Sequence, residues 1–123
     1  MPTALKETHG KASYHLLVDE FVEEMIRVRE HGSEKYEKWD WMRGRDWSDY
    51  IDAIRRHATD FNQGESVDPD SGLHHTAHIA VNCMFLFWLD ATGQGRDNRH
   101  HQLAKRMLEM LATIDDSKFH DDA

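Results

Sequence analysis

The stretch Ser71–Leu89, SGLHHTAHIAVNCMFLFWL, decides the fold because it is long, mostly apolar and free of helix breakers after its glycine. Such a run predicts a helix that packs among other helices. Its apolar part, Ile79–Leu89, is too short to cross a bilayer and is interrupted by Asn82. We therefore predict a helix over about residues 72–91 at the centre of the domain.

Three further segments place apolar residues three and four positions apart, the spacing of amphipathic helices. They cover about residues 13–31, a span from Asp46 or Ser48 to Asn62, and about residues 103–114. We expect the first to end at a left-handed Gly32. The inward face of the last is expected to be Leu103, Met107, Met110, Leu111 and Ile114. Four helices with short connections and no strand candidate predict an all-α four-helix bundle.

The size and composition of the chain predict one soluble domain. Its 123 residues suit a single domain, 1–123, with a core over about 13–114 and a frayed acidic tail at 115–123. A formal net charge of -8 argues against nucleic acid or an anionic membrane as a partner. The single cysteine and the lack of an apolar leader predict a cytoplasmic location.

Polar residues form one stripe on the central helix. At about 100° per residue, His75, His78 and Asn82 fall within an arc of roughly 60°. On the preceding helix, His57 and Asp60 lie on one face, so an antiparallel pairing would bring both sets together. Bundles build metal sites from such i, i+3 pairs on facing helices. The alternative is that the histidines hydrogen-bond one another across the helices.

The segment between the first two helices mixes cations with flat rings. It reads SEKYEKWDWMRGR and includes Lys35, Tyr36 and Trp41. Such residues suit stacking on a base and contacts to phosphates, although the tryptophans could instead anchor a long loop to the bundle. Asp70, in DPDSG, is most simply a turn residue, with a metal role as the alternative. Glu20 and Glu24 share a face of the first helix and form a second acidic candidate.

The order and spacing of several short motifs resemble a known family. The motifs are GSEKY, DWMRG, AIRRHATDF and GESVDPDSGLHHTAH, followed by the apolar run, over about residues 16–92. Together they are similar to the small phage dATP/dGTP diphosphohydrolases, MazZ-like members of the all-α MazG-type nucleotide pyrophosphohydrolases. The resemblance implies a bundle of that type, and hydrolysis of purine deoxynucleoside triphosphates to the monophosphate and pyrophosphate.

The acidic motifs of MazG-type enzymes, EExxE and ExxD, have altered counterparts here. Arg56-His57-x-x-Asp60 stands in the place of the first motif, and His75-x-x-His78 follows after 14 residues in the place of the second. Imidazoles in place of carboxylates would shift the preference from Mg²⁺ toward Mn²⁺ or Co²⁺. A rival register uses Asp19-Glu20-x-x-Glu23 and Glu37-x-x-Asp40, with Glu34 beside it.

The resemblance also implies roles for individual residues. The implied metal ligands are His57, Asp60, Asp70, His75 and His78, and Asp60 is also the expected proton acceptor. The implied substrate-binding residues are Lys35, Tyr36, Trp41, Arg56 and Asn82. The family context implies a dGTP or dATP substrate in a phage pathway for diaminopurine DNA, in the host cytoplasm. Bundles of this size with a site between helices often pair to bury apolar surface, so we expect a homodimer or homotetramer. The competing hypothesis is a non-enzymatic helical binding protein with a structural histidine-rich site.

Overall fold

The computed structural model of the chain describes residues 10–121, except for the side chains of residues 102 and 115–121. This part contains four α-helices, two short 3-10 turns and no strand. The helices are α1 (Asp19–Lys35), α2 (Trp47–Asn62), α3 (His75–Thr92) and α4 (His100–Asp121). The predicted all-α bundle is confirmed. Among the described helices, none has the length and apolar character required to cross a membrane.

Helix α3 is the centre of the fold because it packs against both α1 and α2. Near its start, Ala77 and Val81 pack against Val28 of α1. Near its end, Leu89 packs against Trp47 and Tyr50 of α2. Phe85 lies between the two clusters and contacts both, so the core is continuous along α3. The two neighbouring helices are thereby held at fixed positions on either side of it.

Side chains and a glycine set the two ends of α3. At the start, Nδ1 of His74 accepts a hydrogen bond from the N–H of Thr76, and the carboxylate of Glu24 accepts one from the N–H of His74. At the end, Gly93 takes the left-handed conformation at φ 69° and donates its N–H to the carbonyl of Leu89. These contacts satisfy helix-end groups that would otherwise lack partners.

Two loops meet closely beside the end of α3. A Cβ atom on Gly44 would lie 2.7 Å from the Cα of Gly95, so only glycine fits this crossing. The contact is reinforced by Trp47, whose Nε1 donates to the carbonyl of Gln94 at 3.0 Å. These interactions fix the segment that precedes α2, and with it the first turn of that helix.

The structure corrects both predicted ends of the first helix. Residues 14–16 form a 3-10 turn and α1 starts at Asp19, because the apolar side chains before it, such as Tyr14 and Leu16, are exposed and have nothing to pack against. Gly32 does not end the helix in a left-handed cap. The helix continues through it to Lys35.

The predicted inward face of the last helix is also wrong for a single chain. The apolar side chains of α4 are each more than half exposed, because the other described helices do not pack closely against α4. Those side chains are Leu103, Met107, Leu108, Met110, Leu111 and Ile114. Helix α4 extends to Asp121, and residues 122–123 of the predicted tail lie outside the described residues.

Candidate active site

A cavity of about 670 Å³ opens between α1, α2, α3 and the loop that joins α1 to α2. All five predicted substrate-binding residues line it. They are Lys35, Tyr36, Trp41, Arg56 and Asn82. Three of the predicted metal ligands, His57, Asp70 and His78, line the same cavity. Residues from five separate segments therefore converge on one space, large enough for a small ligand.

The two predicted base-stacking rings differ in their surroundings. Tyr36 is more than half exposed, and the guanidinium of Arg45 lies 5.3 Å from its ring centroid. Trp41 instead packs into the core, with ring centroids 4.6 Å from Phe85 and 5.1 Å from Trp88. Tyr36 is thus free to stack on a ligand, whereas Trp41 forms part of the cavity wall and anchors the loop.

The cavity has more charged residues than the sequence motifs indicated. Four cations line it, from Arg29, Lys35, Arg45 and Arg56. Six carboxylates also line it, from Glu37, Asp40, Asp49, Asp52, Asp68 and Asp70. The excess of acid would oppose a triphosphate that binds alone. A bound divalent cation would offset this charge.

Asp49 and Asp52 are cavity residues that the sequence analysis missed. Both lie on α2, where Asp52 is one helical turn and Asp49 two turns before Arg56. Their spacing from Arg56 places all three on one face of the helix, which was the available signal. That signal was weak, because exposed helices carry many charged residues at such spacings.

Three histidines meet where α2 faces α3. Nδ1 of His57 lies 2.8 Å from Nδ1 of His75, so these two nitrogens share a hydrogen bond. The His57 ring also stacks on His78, with 4.4 Å between ring centroids and 7° between planes. The structure therefore brings together the histidines that the helical spacing predicted to face each other. Their role as metal ligands stays a prediction.

His75, the first residue of α3, lies in a cluster with two carboxylates, which we call the acidic cluster. Nε2 of His75 lies 2.7 Å from Oε1 of Glu65, and this histidine is only 1% exposed. Asp60, one turn after His57, completes a group with Glu65 and His75 whose ligand atoms lie within 4.8 Å of one another. Two carboxylates and one imidazole are donors that suit a divalent transition-metal ion. Both carboxylates are exposed, so an ion has access to them.

The remaining predicted ligands lie away from this cluster. His78 is held by the loop before α3, where its Nε2 lies 2.7 Å from Oγ of Ser71. Ser71 in turn donates to Asp68 at 2.9 Å. Asp70 lies 3.8 Å from Nζ of Lys35, across the cavity mouth. Thus His78 and Asp70 face the cavity, while Asp60 and His75 belong to the neighbouring acidic cluster.

Burial sets the protonation of the cavity histidines. It lowers the pKa of His57 and of His78, and the neighbouring histidines lower each pKa further. Burial also raises the pKa of Asp68, but hydrogen bonds from Ser71 and from the N–H of Asp70 outweigh it and hold that pKa below its ordinary value. Neutral imidazoles beside a charged carboxylate are the forms that bind cations.

Most carboxylates of the rival acidic motifs already form other contacts. Glu24 caps the start of α3, and Glu23 pairs with Arg27 at 3.1 Å on the surface. Glu37 and Asp40 line the cavity but lie within 3.8 Å of Arg43. Glu20 and Glu34 are exposed and do not line the cavity.

Comparison with known proteins identifies the family of this chain. The profile of the family described as "dATP/dGTP diphosphohydrolase, N-terminal" matches residues 2–99. A curated relative, the "dATP/dGTP diphosphohydrolase" of Salmonella phage PMBT28, is 35% identical over 102 residues. That match covers 83% of this chain and 35% of the relative, so the chain spans about a third of the relative's length. No solved structure matches the chain. The chain belongs to the dATP/dGTP diphosphohydrolase N-terminal family.

Proposed function

We propose that the protein hydrolyses purine deoxynucleoside triphosphates, dGTP and dATP, to the monophosphate and pyrophosphate, with a divalent cation. The observation that carries the proposal is the position of Arg56, which lines both the main cavity and the surface pocket that contains Asp60. A nucleoside in the cavity could therefore extend its phosphates past Arg56 to the acidic cluster. The name of the phage relative, a dATP/dGTP diphosphohydrolase, supports the same substrates.

The residues divide into base, phosphate and cation contacts. Tyr36 stacks on the base, and Trp41 forms part of the cavity wall. Asn82 offers its carbonyl oxygen, while its amide nitrogen donates to the backbone carbonyl of His78. Lys35 and Arg56 hold the phosphates.

Asp60, Glu65 and His75 hold the cation, with His57, Asp70 and His78 available on the cavity side. The imidazole ligands favour Mn²⁺ or Co²⁺ over Mg²⁺. When bound, the cation neutralises phosphate charge and makes water more acidic.

The reaction breaks one phosphoanhydride bond. A water oxygen bonds to the α-phosphorus, and the bond from that phosphorus to the bridging oxygen breaks to release pyrophosphate. The water loses its proton to a nearby carboxylate, for which Asp60 is the candidate, because it is exposed and lies beside Glu65 and His75. We place the reaction in phage nucleotide metabolism, within the diaminopurine DNA pathway and in the host cytoplasm, where these nucleotides are available.

A product assay tests the proposed function. Purified protein is incubated with dGTP or dATP and with Mn²⁺, Co²⁺ or Mg²⁺, and the products are identified by phosphorus NMR. We expect the monophosphate and pyrophosphate in equal amounts, with no turnover after chelation. The pyrimidine nucleotides dCTP and dTTP are the matched control and should react more slowly. Absence of turnover with every cation, or release of orthophosphate alone, would refute the proposal.

The second candidate is a non-enzymatic helical binding protein with a structural histidine site. One observation favours it, namely that both ring nitrogens of His75 already have protein partners, in His57 and Glu65. A protein of this kind would bind a purine nucleotide in the cavity without converting it. The product assay separates the two candidates when it is combined with a binding measurement on the same sample.

We also propose a homodimer that uses the exposed apolar face of α4. An isolated helix with this much exposed apolar surface gains stability when the surface is covered. A second copy offers the same face, and two identical faces can pair about a twofold axis. The alternative occupants are further copies, which would give a tetramer, or another segment of a longer polypeptide.

Light scattering after size-exclusion chromatography tests the dimer. We expect a mass twice the 14.4 kDa of one chain. Leu111→Glu should shift the protein to the monomer, because it places a charge in the centre of the apolar face. Lys105→Glu, a charge change on the opposite side of the same helix, is the control and should leave the mass unchanged. A monomer in the parent protein would refute the proposal.

A further inference from the structure

The hydrogen bond between His57 and His75 connects the acidic cluster to the cavity wall. His75 is 1% exposed and lies between the acidic cluster and the cavity. Its Nε2 faces Glu65 at 2.7 Å, and its Nδ1 faces Nδ1 of His57 at 2.8 Å. His57 also lines the cavity. The three residues thus form an unbroken chain from a surface carboxylate to the cavity wall.

The direction of each hydrogen bond follows from the available protons. The carboxylate of Glu65 can only accept, so Nε2 of His75 carries a proton. In a neutral ring, Nδ1 of His75 then has no proton and must accept from Nδ1 of His57. If His57 is neutral as well, its Nε2 has no proton and presents a lone pair.

We propose that Glu65 and His75 are positioning residues that set the tautomer of His57, and that a cation on the acidic cluster reverses it. In the absence of a cation, Nε2 of His57 is an acceptor at the cavity wall. This second part rests on the proposed cation site. The first part depends only on the hydrogen bonds among the three residues.

The reversal of the His57 tautomer follows from the positions of the same protons. A cation held by Nε2 of His75 takes the place of its proton, so a neutral His75 carries its proton on Nδ1 and donates it to Nδ1 of His57. His57 then carries its own proton on Nε2. Each ring keeps one proton, and only its location changes. The cavity wall would therefore present an acceptor in the empty protein and an N–H donor, suited to a phosphate oxygen, in the loaded one.

Nitrogen NMR of isotope-labelled histidine tests the first part without any activity measurement. Protonated and unprotonated imidazole nitrogens differ widely in their nitrogen chemical shifts. The variants His57→Gln and His75→Gln assign the signals to these two residues. In chelated protein at about pH 8, above the ordinary imidazole pKa of about 6.5, we expect His57 protonated on Nδ1 over Nε2 by roughly tenfold or more. A proton on Nε2 of His57, or on both nitrogens of His75, would overturn the proposal.

Substitutions of Glu65 separate positioning from simple structural support. Glu65→Gln keeps a carbonyl acceptor for Nε2 of His75 and should preserve the His57 tautomer. Glu65→Ala removes the acceptor and should bring the His57 tautomers to within about threefold of each other. Because the Glu65 side chain is 46% exposed, both variants should fold. The same tautomer ratio in Glu65→Ala as in the parent would contradict the role of Glu65.

Addition of Zn²⁺, a diamagnetic ion, tests the second part. We expect the proton of His57 to move from Nδ1 to Nε2 as His75 signals shift. Binding of Zn²⁺ at His75 without that movement would overturn the proposed coupling. A lack of any Zn²⁺ effect on His75 would instead refute the cation site and the reversal that rests on it, while the tautomer measured in the chelated protein would still decide the first part.

Discussion

Leu89→Ala is expected to lower the free energy of unfolding by about 3 to 5 kcal/mol. The Leu89 side chain is completely buried, between Trp47 and Tyr50 of α2. Truncation to alanine removes its apolar contacts and leaves a cavity that two rigid aromatic rings cannot fill. The loss is a large part of the stability of a domain of this size. Chemical denaturation, followed by the helical circular dichroism signal, measures it.

A leucine on the surface provides the matched control. Leu16 is 77% exposed, so Leu16→Ala makes the same chemical change outside the core. It should alter the unfolding free energy by no more than about 0.5 kcal/mol. The slope of the unfolding free energy against denaturant concentration should be the same in both variants as in the parent protein. A loss below about 1 kcal/mol for Leu89→Ala would show that α2 and α3 do not pack as described.

The number and order of the helices could be predicted from the sequence because each has its own apolar periodicity. The boundaries of α1 could not, because the apolar spacing continues back to Tyr14 although those side chains find no partner. The same limit applies to α4, whose apolar face is periodic but exposed within one chain. Periodicity reports that a face is apolar, and tertiary packing decides whether anything covers it.

The central helix shows the same limit in another form. Helix α3 is apolar around most of its circumference, so its sequence does not specify which side is buried. Met84 and Phe87 are exposed, while Val81 and Leu89 are buried. The histidine stripe was easier to predict, because polar groups on such a helix are few and their spacing is unambiguous.

Part of the candidate site depends on contacts between distant segments. The approach of His57 to His75 and His78 followed from helical spacing on two helices that are adjacent in sequence. Glu65 was missed because it lies in a connector after α2, where no periodic pattern applies. It reaches His75 only because the loop folds back, with the N–H of His75 bonded to the carbonyl of Ser66 at 3.0 Å.

Asp60→Asn is expected to reduce turnover of dGTP by about 100-fold or more, the contribution typical of a group that takes part in proton transfer. Asp60 lies near the end of α2, is exposed, and shares a cluster with Glu65 and His75. Asparagine keeps the shape of the side chain but removes its charge, so cation binding and proton acceptance both weaken. Helical content should not change, since the side chain is at the surface. Steady-state kinetics of pyrophosphate release measure the effect.

The dependence on Mn²⁺ distinguishes the two roles of Asp60. If Asp60 holds the cation, a higher Mn²⁺ concentration should restore part of the lost turnover, whereas the loss of a proton acceptor should persist at saturating Mn²⁺. Asp90→Asn, an exposed carboxylate on α3 that lines neither cavity, is the matched control and should keep the parent activity. Parent-level turnover in Asp60→Asn would remove Asp60 from both roles. The reaction would then depend on the carboxylates of the main cavity, of which Asp49 and Asp52 share a helix face with Arg56.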